Sequence, residues 1–153
     1  MKRKASARWQ GGLKDGKGTI STDSGVLKET QYSFHTRFED GAGTNPEELI
    51  AAAHAGCFSM ALSGQLNNAG LTAEQIETTA TVTMVPVDGK PTVTAVHLDL
   101  TARVPGASPE QFETAANNAK AGCPISRLLN AEITMTAKLE GAGDASAKTG
   151  AGD

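Results

Sequence analysis

The sequence predicts an α+β fold with mainly antiparallel strands, in the order β-β-β-α-β-β-α-β. Three observations lead there. Segments that alternate apolar and polar residues are separated by Gly-bearing turns such as Lys14-Asp15-Gly16 and Asp88-Gly89. Two helix-start signatures stand apart from these segments, at Asn45-Pro46 and Ser108-Pro109. The strands follow one another mostly through hairpins instead of repeated strand–helix–strand units, which points away from a doubly wound parallel sheet.

The elements follow in order. Lys4 to Trp9 alternates and stops at Gly11-Gly12, reading as a first strand that forms a hairpin with Gly16 to Ser21. Val26 to Phe38 reads as a third strand, because Tyr32, Phe34 and Thr36 alternate with Ser33, His35 and Arg37. Glu39-Asp40-Gly41 breaks it. A long helix then starts at Asn45, with Pro46 in the first helical position, Glu47 and Glu48 at the positive end of the helix dipole, and Glu48 near a capping-box position. From Leu49 to Leu62 only His54 and Ser59 interrupt an apolar or small run, so this helix is expected to be buried on most sides. It ends near Gly70, a residue suited to a left-handed C-terminal position.

Gln75 to Val85 is rich in Thr and Val and reads as a long strand. Asp88-Gly89 turns it into a returning strand over Thr92 to Val104. Ser108, Pro109 and Gln111 mark the second helix, whose stripe is Phe112, Ala115, Ala116 and Ala119. After Gly122-Cys123-Pro124, Ile125 to Leu129 reads as a short helical turn, and Ala131 to Leu139 as the closing strand. The expected organisation is one domain over 1–139, with 140–153 a flexible tail of Gly, Ala, Ser and charge.

Composition bounds the function. At 153 residues the chain can bury a core without disulfides or a structural metal. A net charge of −3 and no basic face give no reason to expect nucleic acid as a partner. The start, MKRKASARWQGG, lacks the apolar segment of a secretory signal, and no apolar run reaches the ~18 residues expected of a membrane span. The expectation is therefore a soluble, cytoplasmic protein with no membrane partner. In that compartment two cysteines are normally reduced, which makes catalytic or redox use a better default than a permanent disulfide.

Cys57 lies in the middle of the apolar helix, and Cys123 lies 66 residues later, just after the second helix. Packing both helices on one sheet would bring the thiols close. The plainer reading is two unrelated buried cysteines, a common fate of free Cys. A thiol in an apolar helix has a raised pKa and stays unreactive unless a positive group compensates. His54, one turn earlier, is near enough, though a buried neutral histidine with one hydrogen bond explains it more simply. Arg37 is the stronger candidate, since a guanidinium keeps its charge, stabilises a thiolate and binds a peroxide oxygen; its plainer reading is a solvated strand residue. Glu47 lies ten residues before Cys57, about 15 Å along a straight helix. It can orient Arg37 or serve the thiol of a partner subunit, or it is simply a carboxylate favouring the helix start. Cys123-Pro124-Ile125-Ser126 is similar to the CPxS half of a glutaredoxin site but lacks that site's context. Arg127 is a second cation nearby, or a surface arginine. A zinc site from His54, Cys57, Cys123 and either His35 or His97 lacks the usual paired ligand spacing. A cysteine hydrolase lacks an orienting group, and no phosphate-binding loop is present. No metal or cofactor is expected.

Thr44-Asn45-Pro46-Glu47-Glu48-Leu49, Ala52-Ala53-His54-Ala55-Gly56-Cys57-Phe58-Ser59-Met60-Ala61-Leu62, Cys123-Pro124-Ile125-Ser126 and Leu129-Asn130-Ala131-Glu132-Ile133 together resemble the osmotically inducible protein C family, the OsmC-like proteins. Organic hydroperoxide resistance proteins are its sister branch. The resemblance spans about 1–139 and implies an intertwined homodimer with active sites at the subunit interface. It implies a thiol-dependent peroxidase of organic hydroperoxides, less active on hydrogen peroxide, that is recharged by an external dithiol. Cys57 matches the peroxidatic cysteine, Cys123 the resolving one, Glu47 the glutamate that holds an arginine, and Arg37 that arginine. The sister branch takes its arginine from an early loop. The counterpart here, around Gly11 to Gly18, holds only Lys14 and Lys17, which favours the osmotically inducible branch. Apolar residues of the helix (Leu49, Ile50, Phe58, Met60) would favour an alkyl or lipid peroxide.

Overall fold

Two sheets, one antiparallel and one mixed, carry an α+β chain. The computed structural model describes residues 1–141 and the backbone of 146–149. Its elements are β1 (Ala5–Gln10), β2 (Lys17–Thr22), β3 (Thr30–Tyr32), α1 (Phe34–Phe38), α2 (Pro46–Asn68), β4 (Gln75–Val87), β5 (Lys90–Arg103), α3 (Pro109–Gly122), α4 (Pro124–Leu128), β6 (Glu132–Glu140) and β7 (Ser146–Thr149). They fall into two compact units, Met1–Leu49 and Ile50–Asp153.

The first unit is an antiparallel meander, β1-β2-β3, followed by α1 and the start of α2. Trp9 and Tyr32 stack across it, with ring centroids 5.5 Å apart over Gly18, where a Cβ would collide with both rings. The expected strand over Val26 to Phe38 shrinks to Thr30–Tyr32, and Phe34–Phe38 is helical. Local capping overrides the alternating pattern. The Ser33 hydroxyl accepts the Thr36 N–H at 3.3 Å, and the Thr36 hydroxyl accepts the Ser33 N–H at 2.8 Å, a reciprocal capping box. Every residue of β1 is exposed, and no large apolar side chain of this unit is buried.

The second unit holds the core. β4 and β5 form a long hairpin from Gln75↔Arg103 to Val87↔Lys90. Asp88 and Gly89 at its tip have φ of 52° and 76°, the left-handed pair of a type I′ turn. α3 and α4 then cross over, and β6 lies parallel to β5 from Ala95↔Glu132 to Arg103↔Glu140. Inward side chains of β5 (Val96, Leu98, Leu100, Ala102) and β6 (Met135, Ala137, Leu139) meet Phe112, Ala115, Ala116 and Ala119 of α3 and Phe58, Leu62 and Leu66 of α2. Ser108 and Gln111 cap α3 reciprocally, as the sequence predicts. The expected tail starts inside β6, which runs to Glu140, and Ser146–Thr149 pairs antiparallel with β6. Residues 142–145 and 150–153 of that tail lie outside the described residues.

Two expectations about α2 change. Its buried residues are His54, Phe58, Leu62 and Leu66, one stripe at four-residue spacing, while Ala52, Ala53, Gly56 and Met60 are exposed. The chain therefore buries one side of this helix, not most of it. At 23 residues, with an 18-residue window of mean hydropathy 1.3, α2 is also long and apolar enough to cross a membrane by length and composition. Its apolar stripe packs into the protein core.

Candidate active site

Cys57 and Cys123 are both free thiols, the first half-buried in the middle of α2 and the second fully buried. Cys123 is the N-cap of α4, where its Sγ accepts the Ser126 N–H at 3.4 Å. Cys123 and the backbone amide of Ile125 are the neighbours that act on the Cys57 thiol. The net effect on Cys57 is a raised pKa. Burial contributes most, because it disfavours a thiolate; the Ile125 N–H acts against it, and the Cys123 thiol pushes upward again. Among the groups that set this shift there is no cation.

The cation sits with a carboxylate instead. Arg37 Nε and NH2 donate to Glu47 Oε1 and Oε2 at 2.9 and 3.0 Å, a bidentate pair. The pairing raises the pKa of Arg37 further, mainly through the Glu47 hydrogen bond, so the guanidinium is permanently charged. Arg37 reaches this position from α1, not from a strand as expected. The Asn45 side chain ties the two helices' ends: its Nδ2 donates to Thr36 O at 2.9 Å and its Oδ1 accepts the Glu48 N–H at 2.7 Å. Glu48 does not close the capping box. Its carboxylate takes the Thr44 hydroxyl at 2.7 Å. Gly43 permits this loop: its φ is +122°, and a Cβ there would strike the Gln31 carbonyl.

The other candidates have separate tasks. His54 is buried, with Nε2 2.7 Å from Ser126 Oγ, and burial lowers its pKa. His35 pairs with Glu39 at 2.6 Å, and His97 lies between Thr134 and Thr136 at 2.6 and 3.2 Å. Among the described residues no three His, Cys, Asp or Glu side chains converge as metal ligands. Arg127 is exposed. Phe58 belongs to the core, so it does not line an approach to Cys57, whereas Met60 is exposed. The Ile125 amide escaped the sequence reading. Its signal was a Cys–Pro–x–Ser start, a cap followed by a Pro in the first turn.

A family model described as OsmC-like protein matches residues 39–138. The chain belongs to the OsmC-like family. Peroxiredoxin OsmC of Escherichia coli K12 is 51% identical over 138 residues, covering 90% of this chain and 96% of that protein. Peroxiredoxin OsmC of Shigella flexneri matches to the same extent. Solved structures share the fold. An OsmC-like protein of unknown function from Vibrio cholerae has a TM-score of 0.70 at 18% identity, over 91% of this chain and 99% of that one. The organic hydroperoxide resistance protein OhrB of Bacillus subtilis has 0.64 at 24%, over 90% and 98%. In this OsmC-like chain the matched span holds Glu47, Cys57 and Cys123, while Arg37 lies just ahead of it.

Proposed function

We propose that this protein is a cysteine peroxidase that reduces organic hydroperoxides, and hydrogen peroxide more weakly, in oxidative or osmotic stress defence. The observation that carries the reading is a pair of free thiols near enough for Cys123 to act on Cys57, in a chain half identical to a peroxiredoxin. The Cys57 thiolate attacks the distal peroxide oxygen, an alcohol leaves, and Cys57 becomes a sulfenic acid. Cys123 condenses with it to a disulfide and releases water. The chain has two cysteines, so an external dithiol restores them.

The protein works as a homodimer in the cytoplasm, with each active site at the subunit interface. Two features favour a partner. The unit 1–49 buries no large apolar side chain, too little core for a segment of that size to stand alone. On α2, Gly56 and Gly64 have open space where a Cβ would stand, beside exposed Ala52, Ala53 and Met60. In the dimer, the Arg37–Glu47 pair of one subunit supplies the positive charge that Cys57 of the other needs to ionise. Cys57, Cys123, Arg37 and Glu47 are thus the catalytic set.

The test is a thiol count. Reduced protein treated with cumene hydroperoxide should lose both free thiols and regain them with dithiothreitol, and Cys57→Ser should abolish peroxide consumption with the fold intact. A Cys57→Ser protein that consumes the peroxide at the parental rate would sink the reading. Substrate class is tested by kcat/KM, expected to be higher with cumene hydroperoxide than with hydrogen peroxide.

A further inference from the structure

His54 and Ser126 have no part in the cycle above, yet they join its two halves. His54 lies three residues before Cys57 on α2 and is 0% exposed. Its Nε2 is 2.7 Å from Ser126 Oγ. Ser126 also gives its N–H to Cys123 Sγ, and the backbone amide of its neighbour Ile125 is near enough to act on the Cys57 thiol. The α4 turn therefore meets one face of α2, where its side-chain tie is at His54, one turn from Cys57. Contacts to sulfur are weak hydrogen bonds, so the histidine–serine bond is the firmer tie. None of the five residues of α4 is fully buried, although Ile125 packs against the core and the capping Cys123 lies within it.

His54 also carries a local cost. Its Nδ1 is buried without a hydrogen-bond partner, an unfavourable state for a polar atom. A leucine there would extend the buried stripe Phe58, Leu62 and Leu66 with no such orphan. What the histidine supplies that leucine cannot is the bond to Ser126.

We propose that the His54–Ser126 hydrogen bond is a positioning clamp for the resolving step, holding the Cys123–Ser126 turn where Cys123 reaches the oxidised Cys57. The proposal rests on the peroxidase reading. In that step the Cys123 thiol gives up its proton and its sulfur attacks the Cys57 sulfenic sulfur. The S–S bond forms as the S–O bond breaks, and hydroxide and proton leave as water. With the clamp gone the turn wanders and the sulfenic acid persists, so a second peroxide converts it to sulfinic acid.

The experiment follows disulfide closure after one equivalent of cumene hydroperoxide, by quenching, dimedone trapping and mass spectrometry, with Tm recorded for each variant. Ser126→Ala should close about five- to tenfold more slowly than the parent, the equivalent of one net hydrogen bond. It should also accumulate more Cys57 sulfinic acid under excess peroxide. Ser126→Thr, which keeps the hydroxyl, should restore closure. His54→Phe should slow closure similarly, and His54→Phe with Ser126→Ala should be no slower than either alone, because both remove the same bond. Closure at the parental rate in Ser126→Ala, or effects that multiply in the double variant, would overturn the clamp. A parent protein whose thiols survive the peroxide would overturn the peroxidase reading instead.

Discussion

Replacing Glu47 by glutamine removes one charge and keeps the shape of the side chain. The carboxylate holds Arg37 through two hydrogen bonds of 2.9 and 3.0 Å, with side chains 39% (Arg37) and 14% (Glu47) exposed. Water screens an arginine that exposed, so the loss of fold stability should be only about 0.5–1 kcal/mol. For a chain of this length that is a Tm drop of roughly 1–4 °C. The effect on the thiol should be larger. In the proposed dimer, a guanidinium held about 4 Å from the partner's thiolate would stabilise it by roughly 4 kcal/mol at an effective dielectric of about 20, and by half that at about 8 Å. Glutamine lets the arginine drift, and the loss corresponds to a rise of about 1–1.5 units in the pKa of Cys57. Burial already pushes that thiol up, so the shift adds to an unfavourable start. The rate of peroxide reduction well below the pKa should fall roughly ten- to thirtyfold and recover as the pH passes the new value. The assay is the second-order rate constant with cumene hydroperoxide against pH, beside the ultraviolet absorbance of the thiolate. A variant with a lower Tm but an unshifted pH profile would refute the reasoning and leave the pair a scaffold.

Other outcomes follow from the same structure. Cys123→Ser should form the Cys57 sulfenic acid but no intramolecular disulfide, which intact-mass measurement after oxidation checks. Leu62 is 0% exposed in the core, so Leu62→Ala should cost about 2–5 kcal/mol in urea unfolding. Burial lowers the pKa of His54 from 6.5, so the fold favours its neutral form. The stability from this is complete above 6.5 and is lost as pH falls towards the depressed value; the urea midpoint should drop between about pH 7 and about pH 5, and drop less in His54→Gln.

Elements governed by short-range chemistry were legible in the sequence. Asn45-Pro46 and Ser108-Pro109 start helices where they should, and Asp88-Gly89 turns the hairpin. The stripe of α3 is the one its spacing indicated. α1 was hidden because Tyr32, Phe34 and Thr36 alternate like a strand, while the deciding interaction is two hydroxyl bonds between Ser33 and Thr36. The parallel pairing of β5 with β6 depends on a crossover that no local pattern reports. At the site, residue types marked Cys57, Cys123, Arg37 and Glu47 as candidates. Which of them touch was another matter. The Ile125 amide carries no side-chain signature, and His54 finds Ser126 across 72 residues of sequence.

In the proposed cycle, the unequal depth of the two sulfurs sets how a closed bridge reopens. Cys123 is wholly enclosed, and only Cys57 offers a solvent-facing edge. A reductant that reaches the bridge through Cys57 would expel Cys123 inward as the departing thiolate. The donor is then tethered to α2 until its own second sulfur cuts it loose. A compact dithiol completes that exit, whereas a monothiol leaves an adduct on Cys57 that a second thiol must remove.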